Sequence, residues 1–266
     1  MTQLMPESTF RLTVEYDGTN MAGFQAQSGV RTVQGELEAA ILKIIGVPVR
    51  VTGAGRTDTG VHALGQVVSF RCWSRVPVER MPAALNGALP QDVSIREARV
   101  EADSFNARFS ATARRYCYLT LNSSHRSALH GRFTGQCAKP LNVAAMREAA
   151  EWLKGEQDFS SFATQLVPGE PTCRFVRRVQ VHRRGNLVVL HIEANAFLRG
   201  MVRAITGTLW EVGSGKRLPS SMPELLANRD RRLAGAAAPA KGLCLVGVRY
   251  GDVAAQSWNK RNINNG

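Results

Sequence analysis

The sequence predicts an α+β fold of two split-βαβ lobes, each with a mainly antiparallel sheet. Three observations support this fold class. Strand-like and helix-like patterns follow one another in the order β-α-β-β-α-β over residues 1–105. The same order returns over residues 106–250, although the two halves are not visibly similar in sequence. The 266 residues are 44% hydrophobic, which is typical of a globular chain with a buried core.

The first lobe begins with a strand. Apolar residues alternate with polar ones from Phe10 to Tyr16, and a turn at Asp17 and Gly18 ends the run. Thr32 is an N-cap candidate for the next helix, in which apolar residues repeat at helical spacing. The other elements of this lobe are predicted as strands near 47–53 and 66–71, a helix near 78–88 and a strand near 92–99.

The second lobe repeats the pattern. It opens with a strand near 113–121, and Asn142 is a cap candidate for a helix whose apolar positions continue to Leu153. Residues 234–241 have the composition of a loop. The other elements of this lobe are predicted as strands near 173–183 and 186–194, a helix near 196–212 and a last strand near 243–250.

The strand near 113–121 has two different faces. Tyr116 and Tyr118 share one face, and Cys117, Leu119 and Leu121 share the other. The apolar face suits the core, which leaves a tyrosine of the opposite face free to meet a ligand. Two tyrosines that simply cover the sheet are an equal alternative.

We predict three segments: a lobe over 1–105, a lobe over 106–250 and a polar, flexible tail over 251–266. The formal net charge is +13, and it is concentrated in one half. Residues 1–105 hold 10 Lys and Arg against 11 Asp and Glu, whereas residues 106–266 hold 24 against 10. The arginines lie within predicted elements, which excludes a basic tail. This uneven charge is expected for a protein with a polyanion partner, and a generally basic soluble surface is the alternative.

Composition excludes several classes of protein. No run approaches the roughly 20 apolar residues that span a bilayer, and the N-terminus lacks the features of a signal peptide. The five cysteines are scattered and form no CxxC pair, so neither a disulfide framework nor a zinc site is predicted. We therefore expect a reduced, cytoplasmic protein with no membrane segment and no metal.

The densest motif is GAGRTDTGVHA at 53–63. Its glycines permit tight turns and a close approach to a ligand, and Arg56 and Asp58 lie at its centre. It is not a nucleotide-binding fingerprint, because Asp58 occupies the third glycine position and no GK[ST] follows. From the residues alone, Asp58 is either a reactive carboxylate or a turn residue that caps its own backbone. His62 is predicted to be structural rather than a general base.

Two arginines lie on one side of the helix predicted near 196–212. Arg199 and Arg203 are four residues apart and share the face opposite the apolar stripe. A solvated face is the ordinary interpretation of such a pair, and a partner for a carboxylate is the alternative.

The motif at 53–63 is very similar to the signature of the TruA family of bacterial tRNA pseudouridine synthases, whose invariant aspartate corresponds to Asp58. Further blocks resemble that family in order along residues 10–250, which is more specific than one motif. Small departures are Phe24 where Trp is usual, Thr59 where Ala is common and Met21 where an aromatic residue is common. The other blocks are YDGT at 16–19, GFQAQ at 23–27, TVQGELE at 32–38, FNARFSATARRYCY at 105–118, GEQDFSSF at 155–162, NAFLRGMVRAITG at 195–207 and GLCLVGVRY at 242–250.

The resemblance implies a cofactor-free enzyme that isomerises uridine to pseudouridine at positions 38, 39 and 40 of the tRNA anticodon stem-loop. It implies an active-site cleft between ferredoxin-like or RRM-like lobes, in which Asp58 is the catalytic carboxylate and Arg203 pairs with it. It further implies that Tyr116 stacks on the target base, that Arg56 helps to extrude that base, and that the enzyme is a homodimer.

Basic residues of the second lobe are expected to contact RNA phosphates, because RNA helices are recognised largely by shape and backbone. The candidates are Arg108, Arg114, Arg115, Arg174, Arg177 and Arg178.

Three other functions fit parts of the sequence. A non-catalytic RNA-binding protein accounts for the charge and the lobes, but not for the motif at 53–63 or for the missing aromatic RNP pattern. A hydrolytic enzyme needs two carboxylates, and Asp17 is the available partner for Asp58. A pseudouridine synthase that acts on another RNA remains open.

Overall fold

The structure is a computed structural model that describes residues 7–166 and 169–251. Its strands belong to one sheet. They are β1 Ser8–Tyr16, β2 Thr52–Gly53, β3 His62–Cys72, β4 Val93–Glu101, β5 Ala111–Asn122, β6 Gly135–Cys137, β7 Gly155–Asp158, β8 Cys173–Arg184, β9 Leu187–Ala194 and β10 Leu243–Tyr250.

The order of strands across the sheet is β4-β1-β3-β10-β5-β9-β8-β7, with β2 paired to β3 and β6 paired to β5. Within the described chain the pairs are antiparallel, except for β10 with β3 and β5 with β6. The predicted α+β class with a mainly antiparallel sheet is confirmed.

The last strand joins the two halves. β10 pairs with β3 through Cys244 and Leu245, and on its other side it pairs with β5 along most of its length. The sheets expected for the two lobes therefore form one continuous sheet. The division into lobes at residue 105 stays a prediction, and the predicted tail lies outside the described residues except for Gly251.

Helices cover the sheet and complete the core. Those described are α1 Val33–Ile45, α2 Met81–Asn86, α3 Val143–Glu151, α4 Met201–Gly213 and α5 Met222–Asn228. Both predicted N-caps are confirmed, because the side chain of Thr32 accepts from the Gly35 amide and that of Asn142 accepts from the Ala144 and Ala145 amides. No helix of the described ranges is long and apolar enough to cross a membrane.

Some element boundaries differ from the prediction. α4 begins at Met201 rather than near 196, because Gly200 adopts a left-handed conformation with φ of 70° that a helix interior does not contain. The strand expected near 66–71 is longer, and the one near 47–53 is reduced to two residues. β6, β7 and α5 were not predicted, since each is too short to show a period.

Both faces of β5 are largely buried: Cys117 and Leu121 are buried as expected, and Tyr116 and Tyr118 on the other face are buried too. Tyr118 is fully buried, donates from its hydroxyl to the Pro239 carbonyl at 2.8 Å and packs edge-on against Trp210 of α4. The tyrosine face therefore packs under the helix, and Cys117 lies on the opposite side of the sheet. A buried tyrosine is tolerated here because its hydroxyl has a partner.

Candidate active site

The Asp58 loop, defined as residues 53–60, lies between β2 and β3 and is held by buried neighbours. A Cβ on Gly53 would come within 2.5 Å of the Phe24 ring, so glycine is required there. Gln66 is fully buried and donates from Nε2 to the Gly55 carbonyl at 2.8 Å. The loop is therefore seated on the first half of the sheet.

Thr57 provides a second anchor for the loop. Its hydroxyl forms a hydrogen bond with the hydroxyl of Tyr16 at 2.8 Å, and its carbonyl accepts from the Phe24 amide at 3.1 Å. These bonds fix the residue directly before Asp58. The position of the Asp58 side chain is therefore set by buried groups rather than by solvent.

The backbone of Asp58 turns directly into β3. Its carbonyl accepts from the Val61 amide at 3.1 Å, and Gly60 supplies the positive φ of 77° that this turn requires. Within the described ranges the Asp58 carboxylate accepts no hydrogen bond from this turn. The interpretation of Asp58 as a self-capping turn residue is therefore not supported.

Two guanidinium groups face the Asp58 carboxylate instead. Nη1 of Arg203 lies 3.6 Å from Oδ2, and Nε of Arg199 lies 3.9 Å from Oδ1. The Asp58 side chain is 29% exposed, so a ligand can reach it. An accessible carboxylate that faces two guanidinium groups is placed to attack a ligand or to remove a proton from it.

Arg203 is held firmly on α4. Its Nε donates to the Ala238 carbonyl at 2.8 Å, and the Ala238 amide donates to the Arg203 carbonyl at 2.9 Å. The segment 234–241, predicted as a loop, thus aims the guanidinium at Asp58.

Arg199 lies just before α4 and is more exposed than Arg203. Its side chain is 65% exposed, and its Nη1 donates to Oε1 of Gln165 at 2.5 Å. The sequence indicated the shared face of Arg199 and Arg203, but it did not indicate that both reach Asp58.

Tyr116 lies between the Asp58 loop and α4. It is 7% exposed, and its ring packs edge-on against Phe197 at 5.0 Å. Its hydroxyl comes 3.9 Å from an ideal Cβ on Gly55, and it forms no hydrogen bond with the described residues. Burial raises the pKa of Tyr116 well above its usual range, so the hydroxyl stays protonated.

Arg56 is the most accessible charged residue of the Asp58 loop. Its side chain is exposed and forms no ion pair or hydrogen bond with the described residues. It is therefore free to contact a ligand that approaches Asp58.

His62 and Asp17 form a separate structural cluster. Nδ1 of His62 accepts from the Gly18 amide at 3.0 Å, and burial lowers the pKa of this histidine. Asp17 binds Thr19 through two hydrogen bonds and lies 2.5 Å from Nη2 of Arg132. Because the Asp17 carboxylate is occupied in this way, it is not available as the second acid of a hydrolase.

Two of the predicted phosphate-binding arginines are already occupied by the protein. Arg114 donates to the carbonyls of Ala54, Arg108, Ala111 and Asn195. Arg174, near the start of β8, is 8% exposed and donates to the carbonyls of Pro171 and Cys173. These contacts favour a structural role for both side chains.

Two others lie on the face of the sheet opposite Tyr116. Arg115 follows the alternation of β5 away from Tyr116 and pairs across the sheet with the buried Glu193. Arg177 lies 3.7 Å from the same Glu193 carboxylate. Arg178 is exposed near this cluster, and Arg108 is exposed beside the Asp58 loop.

Known proteins resemble this chain over most of its length. The profile of the family described as tRNA pseudouridine synthase matches residues 12–110 and 149–251. The tRNA pseudouridine synthase A of Methylococcus capsulatus is 48% identical over 90% of this chain and 88% of its own length. The enzyme of the same name from Halalkalibacterium halodurans is 44% identical over 87% of this chain and 89% of its own length. That from Syntrophomonas wolfei is 42% identical over 91% of this chain and 98% of its own length.

The fold aligns only weakly with two solved structures. An archaeal box H/ACA sRNP Nop10–Cbf5 complex aligns with a TM-score of 0.35 at 12% identity, covering 76% of this chain and 44% of that one. A Cbf5–Nop10–Gar1 complex aligns with a TM-score of 0.36 at 11% identity, covering 88% of this chain and 57% of that one. The sequence matches, by contrast, include the Asp58 loop and both arginines that face it. On this evidence the chain belongs to the tRNA pseudouridine synthase family.

Proposed function

We propose that this chain isomerises uridine to pseudouridine in the anticodon stem-loop of tRNA, at positions 38, 39 and 40, with Asp58 as its catalytic carboxylate. The observation that carries the proposal is the position of Asp58. Its carboxylate is accessible and faces the guanidinium groups of Arg203 and Arg199. Within the described residues it accepts no hydrogen bond from its own turn. The family of the chain supports the same reaction.

The reaction needs no external reactant. The bond from the sugar C1′ to N1 breaks, a bond from C1′ to C5 forms, the C5 hydrogen leaves as a proton, and N1 gains one. Nothing is oxidised, so the site must supply a carboxylate and a surface that holds the detached uracil. Attack on the sugar, attack on the base and removal of a sugar proton all use the Asp58 carboxylate that Arg203 faces.

The other site residues have complementary roles in this proposal. The buried ring of Tyr116 stacks on the target base beside Asp58. The exposed guanidinium of Arg56 helps to hold the base out of its helix, since extrusion costs a few kcal/mol that the protein must offset. Arg203 orients the carboxylate and balances its charge.

The same family resemblance supports a homodimer that acts on tRNA in the cytoplasm. Because one tRNA would then contact both subunits, the basic surfaces of two chains contribute to one complex. Sedimentation of the free protein tests the stoichiometry directly.

Tritium release tests the reaction itself. We expect purified protein, with EDTA and no added cofactor, to release tritium from unmodified tRNA labelled at uracil C5, because the new bond to C1′ displaces that hydrogen. Free uracil among the products would instead indicate a hydrolase. Folded, tRNA-binding protein that releases no tritium would indicate a non-catalytic RNA-binding protein, and release from a different RNA alone would change the substrate.

Salt dependence tests the phosphate contacts. With about six contacts, affinity for tRNA should fall roughly 10³-fold between 50 and 200 mM salt. Arg108→Gln should lower the slope of log Kd against log salt by about one, since it removes one exposed contact. Arg174→Gln is the matched control and should leave the slope unchanged, because that guanidinium is buried and donates to the carbonyls of Pro171 and Cys173. A flat titration of the unaltered protein would contradict the proposed phosphate contacts.

A further inference from the structure

Phe109 is an unusually exposed aromatic residue on a well-ordered turn. Its side chain is 78% exposed, although it lies near the start of the predicted second lobe rather than in a tail. The side chain of Asn106 accepts from the Arg108 amide at 3.0 Å and from the Phe109 amide at 3.1 Å. The Ser110 amide donates to the Asn106 carbonyl at 2.9 Å, so the backbone that presents the ring is fixed on both sides.

Arg108 lies over this ring. Its guanidinium carbon is 5.4 Å from the centroid of Phe109, within the range of a cation–π contact. A flat aromatic face with a guanidinium beside it can stack on a nucleotide base and contact the adjoining phosphate. A single exposed apolar residue needs no special explanation, but this one has a fixed turn and a positive partner.

Arg114 places this turn next to the candidate active site. Its Nη2 donates both to the Arg108 carbonyl at 2.6 Å and to the Ala54 carbonyl at 2.8 Å, so these two carbonyls lie side by side. Ala54 belongs to the Asp58 loop. Nη1 of Arg114 donates to the carbonyl of Asn195, on the segment that leads to Arg199 and Arg203. One guanidinium therefore ties the Phe109 turn to both sides of the site.

We propose that Phe109, with Arg108, is a stacking platform for an unpaired nucleotide base of the RNA adjacent to the target uridine. The inference rests on the proposed function, because it assumes that RNA occupies the Asp58 site. Tyr116 is buried and holds the base that reacts, whereas Phe109 is exposed and holds a neighbouring base. Stacking does not depend on the identity of the base, since every base has a π face, and it therefore tolerates different anticodon-loop sequences.

Four variants at one position separate stacking from other roles. We expect Phe109→Ala and Phe109→Leu to raise the Kd for tRNA roughly 5- to 100-fold, the range expected for the loss of one stacked base. Phe109→Tyr and Phe109→Trp should stay within about twofold of the unaltered protein, because they keep a flat ring. Trp152→Ala is the control, since Trp152 is a half-exposed aromatic residue at the end of α3.

A fluorescent base locates the contact. tRNA carrying 2-aminopurine at one anticodon-loop position at a time should be quenched on binding at one position, and Phe109→Leu should abolish that quenching. The measurement uses the full chain carrying Asp58→Ala in every sample, so that no base is consumed during it.

Each outcome has a defined meaning. The proposal would be overturned if Phe109→Leu bound tRNA as tightly as Phe109→Trp, or if Phe109→Ala bound it as tightly as the unaltered protein. A change in sedimentation of Phe109→Ala without a change in RNA affinity would assign the ring to a protein contact and would overturn it too. Unaltered protein that binds tRNA but releases no tritium would refute the proposed function while leaving the binding test of Phe109 valid.

Discussion

Replacement of Asp58 by asparagine is expected to lower kcat for tritium release by about 10³-fold or more, the scale at which a positioned carboxylate acts. Asparagine keeps the shape of the side chain, and its backbone hydrogen bond to Val61 is unaffected. It has no charge, so it neither attacks carbon nor accepts a proton. Single-turnover release from C5-labelled tRNA under saturating enzyme measures this step separately from binding.

Binding provides the internal control for Asp58→Asn. We expect the Kd for tRNA to change little or to decrease, because a negative charge is removed from a surface that we propose to face phosphates. Asp103→Asn is the matched variant, since Asp103 is an exposed aspartate that pairs with Arg71 away from the site. Turnover by Asp58→Asn at the rate of Asp103→Asn would remove Asp58 from its proposed role.

Replacement of Arg203 by methionine is expected to lower kcat roughly 10- to 100-fold, in line with the loss of one contact to a charged group. Methionine fills a similar volume but loses both the charge that faces Oδ2 of Asp58 and the bond from Nε to the Ala238 carbonyl. Arg203→Lys should recover only part of the rate, because one ammonium group cannot both face Asp58 and bind the Ala238 carbonyl as the guanidinium does.

Arg199→Met provides the comparison for Arg203→Met. Arg199 lies at a similar distance from the same carboxylate, but its side chain is 65% exposed and is bound to the Asp58 side only through a 3.9 Å ion pair. We expect its loss to change kcat by about fivefold at most, as for an exposed pair. Equal effects of the two variants would show that fixation by Ala238 is irrelevant.

The local elements were predictable where the chain carries its own signal. Thr32 and Asn142 are caps by residue type, and both act as caps. The long strands β8 and β9 were placed within two residues, because β8 alternates over much of its length and β9 is rich in apolar residues. α4 was predicted too long because apolar residues continue before Gly200, and spacing alone does not reveal a left-handed glycine.

Long-range contacts were not predictable in the same way. The order of strands depends on pairings between residues more than a hundred positions apart, such as Tyr116 with Leu245, and no local pattern encodes these. The packing of the β5 tyrosines was left open because a tyrosine that finds a carbonyl partner is as well suited to the core as leucine. Only the shape of the space beneath α4 decides between them.

The candidate site shows the same difference between what the local sequence indicates and what only the folded structure reveals. Asp58, Arg203, Tyr116 and Arg56 were identified through the family resemblance, since the residues alone left each of them open. Arg114 has a basic side chain like its neighbour Arg115, and nothing in the sequence distinguishes an arginine that binds four carbonyls from one that faces solvent. The net charge of the chain indicates the kind of partner. The burial and internal hydrogen bonds of each arginine decide whether its guanidinium is available to that partner.

The central place of β10 has a consequence for synthesis on the ribosome. The sheet closes between β3 and β5 only when Leu243–Tyr250 has emerged, although both of those strands are made more than a hundred residues earlier. Until then the residues of β3 and β5 that pair with β10 have no strand partner on that edge, which is the condition under which nascent chains associate wrongly. The segment that holds Arg203 directly precedes β10, so a chain halted before that segment contains Asp58 and Arg203 but lacks the Ala238 carbonyl that Arg203 binds. We therefore expect competence for the reaction to appear only after β10 has been synthesised.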